Sequence, residues 1–405
     1  MLIGACLSLA VAVACAPSTT SSSVSVVSGP APVGLAAPAT PPPPIGGLID
    51  MQDIHFHDNE GGEPMFTMGF IANTASPPPP NFSGLFGGIV INATWDLIQP
   101  NPSPAPLNFA QIDGPLTMIE DYNMANPSAP LGVKLRIYAG DNAPLWAKQI
   151  NGGPVQIYRN SSGCDGSDTG CPIYVGKYWT PAFISAWRAF QAAVAARYDS
   201  KPPIVQIAVT SCAPQTDEPF VPSSYSASKN ALIAAGYTDA AEQSCLTGAV
   251  ADYASWHRAL IDFTFNTFSS ITGAGSVNGV TNAQFTINVM TACRQQLGNR
   301  CVLDNHALES PPYSVDQTVY NEMQVLGPPI NFQTQSPVGM SCQWIETIAQ
   351  GVAYGAGAIE IWPEMKYYGF DTLTVNNIQQ LNSLFTNPIP VPTSTPPPSP
   401  CPGFH

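Results

Sequence analysis

Residues 204–220 read IVQIAVTSCAPQTDEPF, a strand-like run that ends in an acidic loop. The run follows Lys201-Pro202-Pro203 and is rich in β-branched residues, which is typical of a strand buried on both faces of a parallel sheet. The loop ends on the carboxylate pair Asp217 and Glu218. Barrels of alternating strands and helices place catalytic acids at the carboxyl ends of such strands. The alternative interpretation is an ordinary loop with two solvated acids.

Strand-like and helix-like runs alternate on both sides of this stretch. Eight short runs favour strands and lie at residues 66–71, 88–93, 133–138, 205–209, 285–289, 301–303, 330–333 and 358–362. The sequence predicts helices at 181–198, at 249–268 and around 344–354. Eight strands separated by helices predict an α/β fold, the (β/α)8 TIM barrel. A doubly wound open sheet is the alternative, but the Gly-rich loop that often follows its first strand does not occur in the sequence.

The composition indicates an exported protein with an uncharged ligand. Of the 405 residues, 44% are hydrophobic and only 10% are charged, and the net charge is −14. Nucleic acids and anionic membrane surfaces are bound through Lys and Arg, so this negative charge argues against both as partners.

The two ends of the chain differ in composition from its middle. Residues 1–16 form an apolar run followed by small residues, which predicts a signal peptide. Residues 12–15, AVAC, are similar to a bacterial lipoprotein cleavage box, so the mature protein is expected to be secreted or lipid-anchored through Cys15 at the cell surface. Residues 17–47 predict a disordered Pro-rich tether, residues 48–390 a single barrel domain and residues 391–405 a Pro-rich tail.

The cysteines support export. Ten are present, and eight remain when Cys6 and Cys15 are set aside. An even number of cysteines in an exported chain predicts disulfides. Proximity in sequence favours Cys164–Cys171 and Cys293–Cys301, Cys212–Cys245 is a plausible third pair, and Cys342–Cys401 then remains.

Three segments resemble β-galactosidase-like glycoside hydrolases of clan A, with family 42 the nearest. They are NATWDLIQP with LNFAQID (residues 92–100 and 107–113), VKLRIYAGDNAPLWAK (133–148) and AIEIWP (358–363). Their order is similar to that of the second, third and eighth strand-helix units of that clan. The resemblance implies a barrel that hydrolyses O-glycosidic bonds without a cofactor, with an acid/base Glu at the end of strand four and a nucleophilic Glu at the end of strand seven.

The resemblance assigns catalytic roles to two glutamates. Glu218 matches the strand-four acid, although the usual Asn before it is missing. The strand-seven segment PPINFQTQSP has Gln333 or Gln335 where the nucleophile is expected, and a carboxamide cannot form a glycosyl ester. Glu360 is the predicted second carboxylate, because the period of two places it on the same strand face as Trp362. A buried Glu360 bonded to a polar group such as Arg136 is the alternative.

Further residues are predicted to bind a sugar. Trp95, Trp146 and Trp362 can stack on a sugar ring, Asp141, Asn142 and Asn305 can hydrogen-bond hydroxyl groups, and Gln333 and Gln335 complete the predicted set. Ordinary packing is the alternative for the tryptophans. His55 and His57 could bind a metal only with further ligands, so we predict no metal.

These features predict an exported glycoside hydrolase that acts on a neutral glycan by carboxylate acid/base catalysis. The alternative is a non-catalytic carbohydrate-binding or surface protein on the same barrel scaffold, which has lost its nucleophile. Gln333 and Gln335 favour the alternative.

Overall fold

The computed structural model describes residues 40–51, 84–159, 171–220, 226–271, 280–312, 314–335, 343–361 and 375–390. All of them belong to one compact unit, residues 38–405. The predicted strand at 66–71, the histidines His55 and His57, and Trp362 lie outside these ranges. Among the described helices, none combines the length and the apolar composition that a membrane crossing requires.

Twelve strands occur in the described residues. They are β1 (Gly47–Asp50), β2 (Gly88–Thr94), β3 (Gly132–Tyr138), β4 (Val155–Arg159), β5 (Cys171–Val175), β6 (Ile204–Ala208), β7 (Leu260–Thr264), β8 (Phe268–Ser270), β9 (Val280–Asn282), β10 (Cys301–Asp304), β11 (Asn331–Gln333) and β12 (Ala358–Ile361).

Ten α-helices occur in the same residues. They are α1 (Trp95–Ile98), α2 (Ala110–Ala125), α3 (Leu145–Lys148), α4 (Pro181–Tyr198), α5 (Ser226–Ala234), α6 (Asp239–Asp252), α7 (Ala283–Leu297), α8 (Ser314–Leu326), α9 (Trp344–Ala353) and α10 (Val375–Ser383). Two 3₁₀ helices, Gly140–Asn142 and Gly298–Arg300, follow β3 and α7.

Eight of the strands form a nearly closed parallel barrel. Their order is β10-β7-β6-β3-β2-β1-β12-β11, and every neighbouring pair is parallel. A single parallel bridge between Leu303 and Ile330 joins the two ends of this order. The remaining strands form two antiparallel pairs, β4-β5 and β8-β9. The predicted (β/α)8 barrel is therefore confirmed.

The barrel interior changes character along its axis. Leu260 precedes Asp262 on β7, Val302 precedes Asp304 on β10, and Ala358 precedes Glu360 on β12, so each strand carries an apolar residue followed by a carboxylate. These three apolar residues pack with Ile45, Ile49, Met51, Val90 and Val205. Because the strands are parallel, the apolar layer lies toward their amino ends and the charged layer toward their carboxyl ends.

Two predicted elements are wrong. The run FTINV at 285–289 lies within α7, where Asn282 caps the helix by accepting a hydrogen bond from the backbone N–H of Phe285. The predicted helix at 249–268 is instead the end of α6, then β7 and the start of β8. The sequence LIDFT in β7 lacks a continuous apolar run, because Asp262 points into the barrel and interrupts it.

Two predicted disulfides are formed. Cys212 bonds Cys245, and Cys293 bonds Cys301, with S–S distances of 2.05 and 2.04 Å. The other two predicted pairs depend on cysteine side chains outside the described part of the chain.

Candidate active site

A buried ion-pair network fills the charged layer of the barrel. Lys134 on β3 extends its ammonium Nζ to Asp262 Oδ1 at 2.7 Å, to Asp304 Oδ2 at 2.6 Å and to Glu360 Oε1 at 2.5 Å. All four side chains are 0% exposed. The four side chains meet because alternate residues of a strand point to one side, and in β3, β7, β10 and β12 the charged residue is on the side that faces the barrel interior.

Arg136, two residues beyond Lys134 on the same strand, extends the network toward the carboxyl ends. Its Nη2 donates to Glu360 Oε2 at 2.6 Å, and its Nε lies 2.6 Å from Asp217 Oδ2. Glu360 therefore faces inward, and each of its two oxygens pairs with a different cation. This pairing with Arg136 matches the alternative that the sequence left open for Glu360.

His306 joins the network to the loop that follows β6. Its Nε2 lies 3.1 Å from Asp304 Oδ2 and 3.3 Å from Thr264 Oγ1, and its Nδ1 lies 3.6 Å from Asp217 Oδ1. Burial disfavours the imidazolium, but Asp217 and Asp304 outweigh burial and raise the pKa of His306 to about 9.

The charges of the network compensate one another. Burial opposes ionisation of Asp304, but Lys134 and His306 outweigh it and hold its pKa well below the ordinary value. Burial, with Asp304 and Glu360 adding to it, raises the pKa of Asp262 well above the ordinary value. The raised pKa of Asp262 favours its neutral form, which brings the number of carboxylates closer to that of the three cations Lys134, Arg136 and His306.

Glu218 lies beside this network in the loop after β6, the fourth barrel strand, and is half-buried. Asn266, just beyond β7, donates a hydrogen bond from Nδ2 to Glu218 Oε1 at 3.0 Å. Burial and the neighbouring charge of Asp217 raise the pKa of Glu218, against the opposing effect of His306. Burial also opposes ionisation of Asp217, but Arg136 and His306 lower its pKa. The protonated form is thus favoured for Glu218 and the ionised form for Asp217. Two neighbouring carboxyl groups with pKa values shifted in opposite directions are typical of an acid and its ionised partner.

A metal does not fit the network. Asp304, His306 and Glu360 present potential ligand atoms within 4.8 Å of one another. However, the Lys134 ammonium already contacts Asp304 and Glu360, so it supplies the positive charge that a metal would bring. A cation at this point would have to displace a fully buried lysine.

Two of the predicted sugar-stacking tryptophans pack against each other. Trp95 is 0% exposed, and its Nε1 donates to Gln99 Oε1 at 2.8 Å. Ring centroids within 5.1–5.6 Å of Trp95 belong to Trp146, Phe183, Trp187 and Phe190. Trp146 is half-buried and retains some surface for a ligand. The ring of Trp95 has no face open to solvent, so we leave it out of the site proposed below.

Asp141 and Asn142 lie close to the loop that carries Glu218. They belong to the 3₁₀ helix after β3 and are half-buried. The backbone N–H of Asp141 donates to the carbonyl of Pro214 at 2.8 Å, which joins the two loops. Asn142 Nδ2 donates to Asp141 Oδ1 at 2.8 Å.

The remaining predicted residues follow β10 and β11. Asn305 is 0% exposed; its amide donates to the carbonyl of Phe265 and accepts from the backbone N–H of Ala307, so it is fully used inside the protein. Gln333 ends β11 opposite Glu360 in the strand register and is nearly buried. Gln335 is half-buried two residues further on.

The sequence interpretation missed three residues of this region, which are Lys134, Asp262 and Asn266. A signal for Lys134 existed, because VKLRIY alternates two cations with apolar residues and therefore places both cations on one strand face. Asp262 and Asn266 were missed because their segment was assigned to a helix.

Comparison with known proteins gives structural likeness only. No protein-family model matches the chain, and no curated protein matches it. The catalytic domain of a β-amylase from Paenibacillus polymyxa aligns with a TM-score of 0.45 and 10% identity over 75% of this chain and 91% of that one. Endo-glycoceramidase II from Rhodococcus sp. aligns with a TM-score of 0.45 and 12% identity over 84% of this chain and 78% of that one.

A Bacteroidetes-affiliated GH5 cellulase linked with a polysaccharide utilization locus gives a TM-score of 0.47 and 10% identity over 85% of this chain and 91% of that one. The three structures are of glycoside hydrolases. Likeness at these identities and TM-scores says nothing about the activity or substrate of this chain. The resemblance to family 42 stays a prediction.

Proposed function

We propose that the protein is a glycoside hydrolase that cleaves O-glycosidic bonds of a neutral glycan, with Glu218 as the general acid. The observation that carries this proposal is the pairing of Glu218 with Asp217 at the carboxyl-end mouth of the barrel. Glu218 is half-buried with a raised pKa, whereas Asp217 is held ionised by Arg136 and His306. The raised pKa of Glu218 favours the protonated form that a general acid needs, and its partial exposure leaves it open to a substrate.

The loop next to that of Glu218 carries polar groups that suit an uncharged substrate. Asp141 and Asn142 lie on the neighbouring loop, and Trp146 retains some exposed surface. We propose that these residues bind the sugar, together with Gln333, Gln335 and Trp362. The cations of the network are already paired with carboxylates, so they are not available to bind an anionic substrate.

The buried ion pairs of Glu360 oppose a role as the second catalytic carboxylate. It is 0% exposed, and both oxygens contact cations at 2.5 and 2.6 Å. To attack a sugar, it would have to leave Lys134 or Arg136. Its position supports a role in holding these two cations in place.

A carbohydrate-binding protein without hydrolysis is the second candidate, and a specific observation favours it. The strand-seven end carries Gln333, and the carboxylate opposite it in the register, Glu360, is fully paired. A barrel with this arrangement can bind a sugar without forming a glycosyl ester.

A panel of aryl glycosides separates the two candidates. For an enzyme, Glu218→Gln lowers turnover by about 10²- to 10⁴-fold, the contribution of a general acid. The loss is smaller for substrates with good leaving groups, because their departing oxygen needs less protonation. Glu120→Gln is the matched control, because Glu120 forms only a surface pair with Lys201 at 3.7 Å and its loss leaves turnover unchanged.

Wild-type protein that binds glycans in calorimetry but hydrolyses no glycoside would refute the enzymatic proposal and support the binding protein. Equal activity of wild type and Glu218→Gln would place the catalytic site elsewhere.

We also propose that the protein is exported, and is either secreted or lipid-anchored at the cell surface. The two disulfides support an oxidising compartment. Mass spectrometry of the mature protein tests this proposal, because a lipidated Cys15 at a new N-terminus distinguishes anchoring from secretion.

A further inference from the structure

Asn266 connects Glu218 to the strand end that carries His306. It lies two residues beyond β7, and both ends of its side-chain amide are engaged. Oδ1 accepts a hydrogen bond from the backbone N–H of His306 at 3.1 Å, while Nδ2 donates to Glu218 Oε1 at 3.0 Å. The side chain is 7% exposed, so water competes little for either bond.

The orientation of this amide follows from its partners. A backbone N–H can only donate, so the amide carbonyl of Asn266 must face His306 and its NH₂ group must face Glu218. Glu218 Oε1 is consequently an acceptor. A carbonyl oxygen accepts a hydrogen bond more strongly than a hydroxyl oxygen, so this contact favours Oε2 as the protonated oxygen of Glu218.

The backbone on both sides of this contact is held in place. Thr286 on α7 donates from Oγ1 to the carbonyl of Asn266 at 3.1 Å and accepts from the N–H of Phe268 at 2.9 Å. The ring of His306 is fixed by Asp304 at 3.1 Å. Hydrogen bonds thus hold Asn266 to α7 and to the segment that follows β10. A residue that orients another side chain needs such fixed support.

We propose that Asn266 is the positioning residue of Glu218, which directs the protonated Oε2 toward the glycosidic oxygen. This inference rests on the proposed function. In the reaction, the proton passes from Oε2 to the glycosidic oxygen while the bond from that oxygen to the anomeric carbon breaks with its electron pair. Water supplies the hydroxyl that replaces the leaving group, and its other proton restores the enzyme. The N–H of Asn266 stabilises the carboxylate that forms on Glu218.

The hydrogen bond also affects when Glu218 carries its proton. Burial and Asp217 raise the pKa of Glu218, while His306, Asn266 and Arg136 lower it. These groups lie on the loop of Glu218 itself, on β3, and just beyond β7 and β10. Loss of the Asn266 donor therefore raises the pKa further.

Two variants test the inference. Asn266→Asp keeps an acceptor for the His306 N–H but replaces the donor with a like charge, whereas Asn266→Ala removes both bonds. For Asn266→Ala, we expect the basic limb of the kcat/KM profile to move upward by about one pH unit, since a hydrogen bond to an ion has about that effect on a pKa. For Asn266→Asp, we expect a shift at least as large, because the like charge adds to the loss of the donor. We also expect kcat to fall about 10- to 100-fold through loss of orientation.

Asn123→Asp is the control. Asn123 also uses both ends of its amide, on the backbone of Leu131 at 2.7 and 3.0 Å, but at the amino end of β3. A destabilised fold alone would lower activity without moving the pH limb, and we expect the control to leave that limb in place.

NMR titration of ¹³C-labelled glutamate carboxyl groups, with the Glu218 signal assigned from Glu218→Gln, gives a readout that does not need turnover. An unchanged Glu218 pKa in both Asn266 variants overturns the inference. The inference is also overturned if both Asn266 variants have wild-type kinetics while Glu218→Gln is inactive. In that case, the proposed function still stands. A wild type without hydrolysis refutes the proposed function and with it the catalytic role of Asn266.

Discussion

Lys134→Met is expected to destabilise the protein more than any surface charge change, because it leaves buried carboxylates without their shared cation. The ammonium contacts three carboxylates at 2.5–2.7 Å, and no side chain in this group is exposed. Met has a similar length, so little cavity forms and the effect is mainly electrostatic. Removal of one partner from a buried ion pair costs about 3–5 kcal/mol.

Part of this loss is compensated within the network. Arg136 still holds the second oxygen of Glu360, and His306 still contacts Asp304. We therefore expect a loss of about 3 kcal/mol, the lower end of that range, in the free energy of unfolding at pH 7. Urea denaturation of the disulfide-intact protein measures it.

The loss should depend on pH with a defined sign. Lys134 helps to hold the pKa of Asp304 well below 3.8, so the stability that this pairing contributes is present above that pKa and disappears in acid. Without the ammonium, the carboxylates accept protons at a higher pH, which relieves their repulsion. The difference between wild type and variant should therefore shrink between pH 7 and pH 4.

Lys201→Met is the matched control. Its ammonium lies 3.7 Å from Glu120, and both side chains are more than one-third exposed, so the expected loss is below about 1 kcal/mol. Equal losses for the two variants, or a Lys134→Met loss that does not decrease in acid, would refute a cationic role for Lys134 in the barrel. Adding Asp262→Asn should restore part of the lost stability, since it removes an acid that can ionise beside Asp304 and Glu360.

Two further predictions concern the mouth of the barrel. Gly140→Ala should lower stability by more than about 1 kcal/mol and reduce ligand binding, because the added Cβ would lie 2.1 Å from the Pro214 carbonyl oxygen at a φ of +32°. Gly114→Ala is the control: its added Cβ would have nothing within 4 Å, so thermal melts should show a neutral or stabilising effect. Because the folded pKa of His306 is about 9 against an ordinary 6.5, its contribution is fully present below pH 6.5 and is lost as the pH rises through 9. Urea titrations should show this decline, and His306→Gln should flatten it whereas the exposed His257→Gln should not.

The barrel could be predicted where local composition and position agree. The predicted strands at 88–93, 133–138 and 358–362 are rich in β-branched residues, and their described parts lie in β2, β3 and β12. The fifth strand was misplaced because FTINV has the composition of a strand, although Asn282 caps it as a helix. The real strand contains Asp262, a buried acid that interrupts the apolar pattern and that Lys134 meets from across the barrel at 2.7 Å.

The site was only partly predictable for the same reason. The position of Glu218 after a buried strand could be predicted, since an acid that follows such a strand is a local signal. The pairing of Glu360 with Lys134 and Arg136 brings together residues more than 200 positions apart in sequence. The contact from Asn266 to Glu218 depends on how two loops meet, which no sequence periodicity encodes.

The position of β1 in the barrel has a consequence for how the chain is made. Gly47–Asp50 pairs with β2 on one side and with Ala358–Ile361 of β12 on the other. β12 also pairs with β11, so both β1 and β11 have an unpaired edge until the last barrel strand leaves the ribosome. Unpaired edges are templates for pairing with other chains. Within the described chain, the barrel is therefore most open to pairing with other chains before β12 is in place.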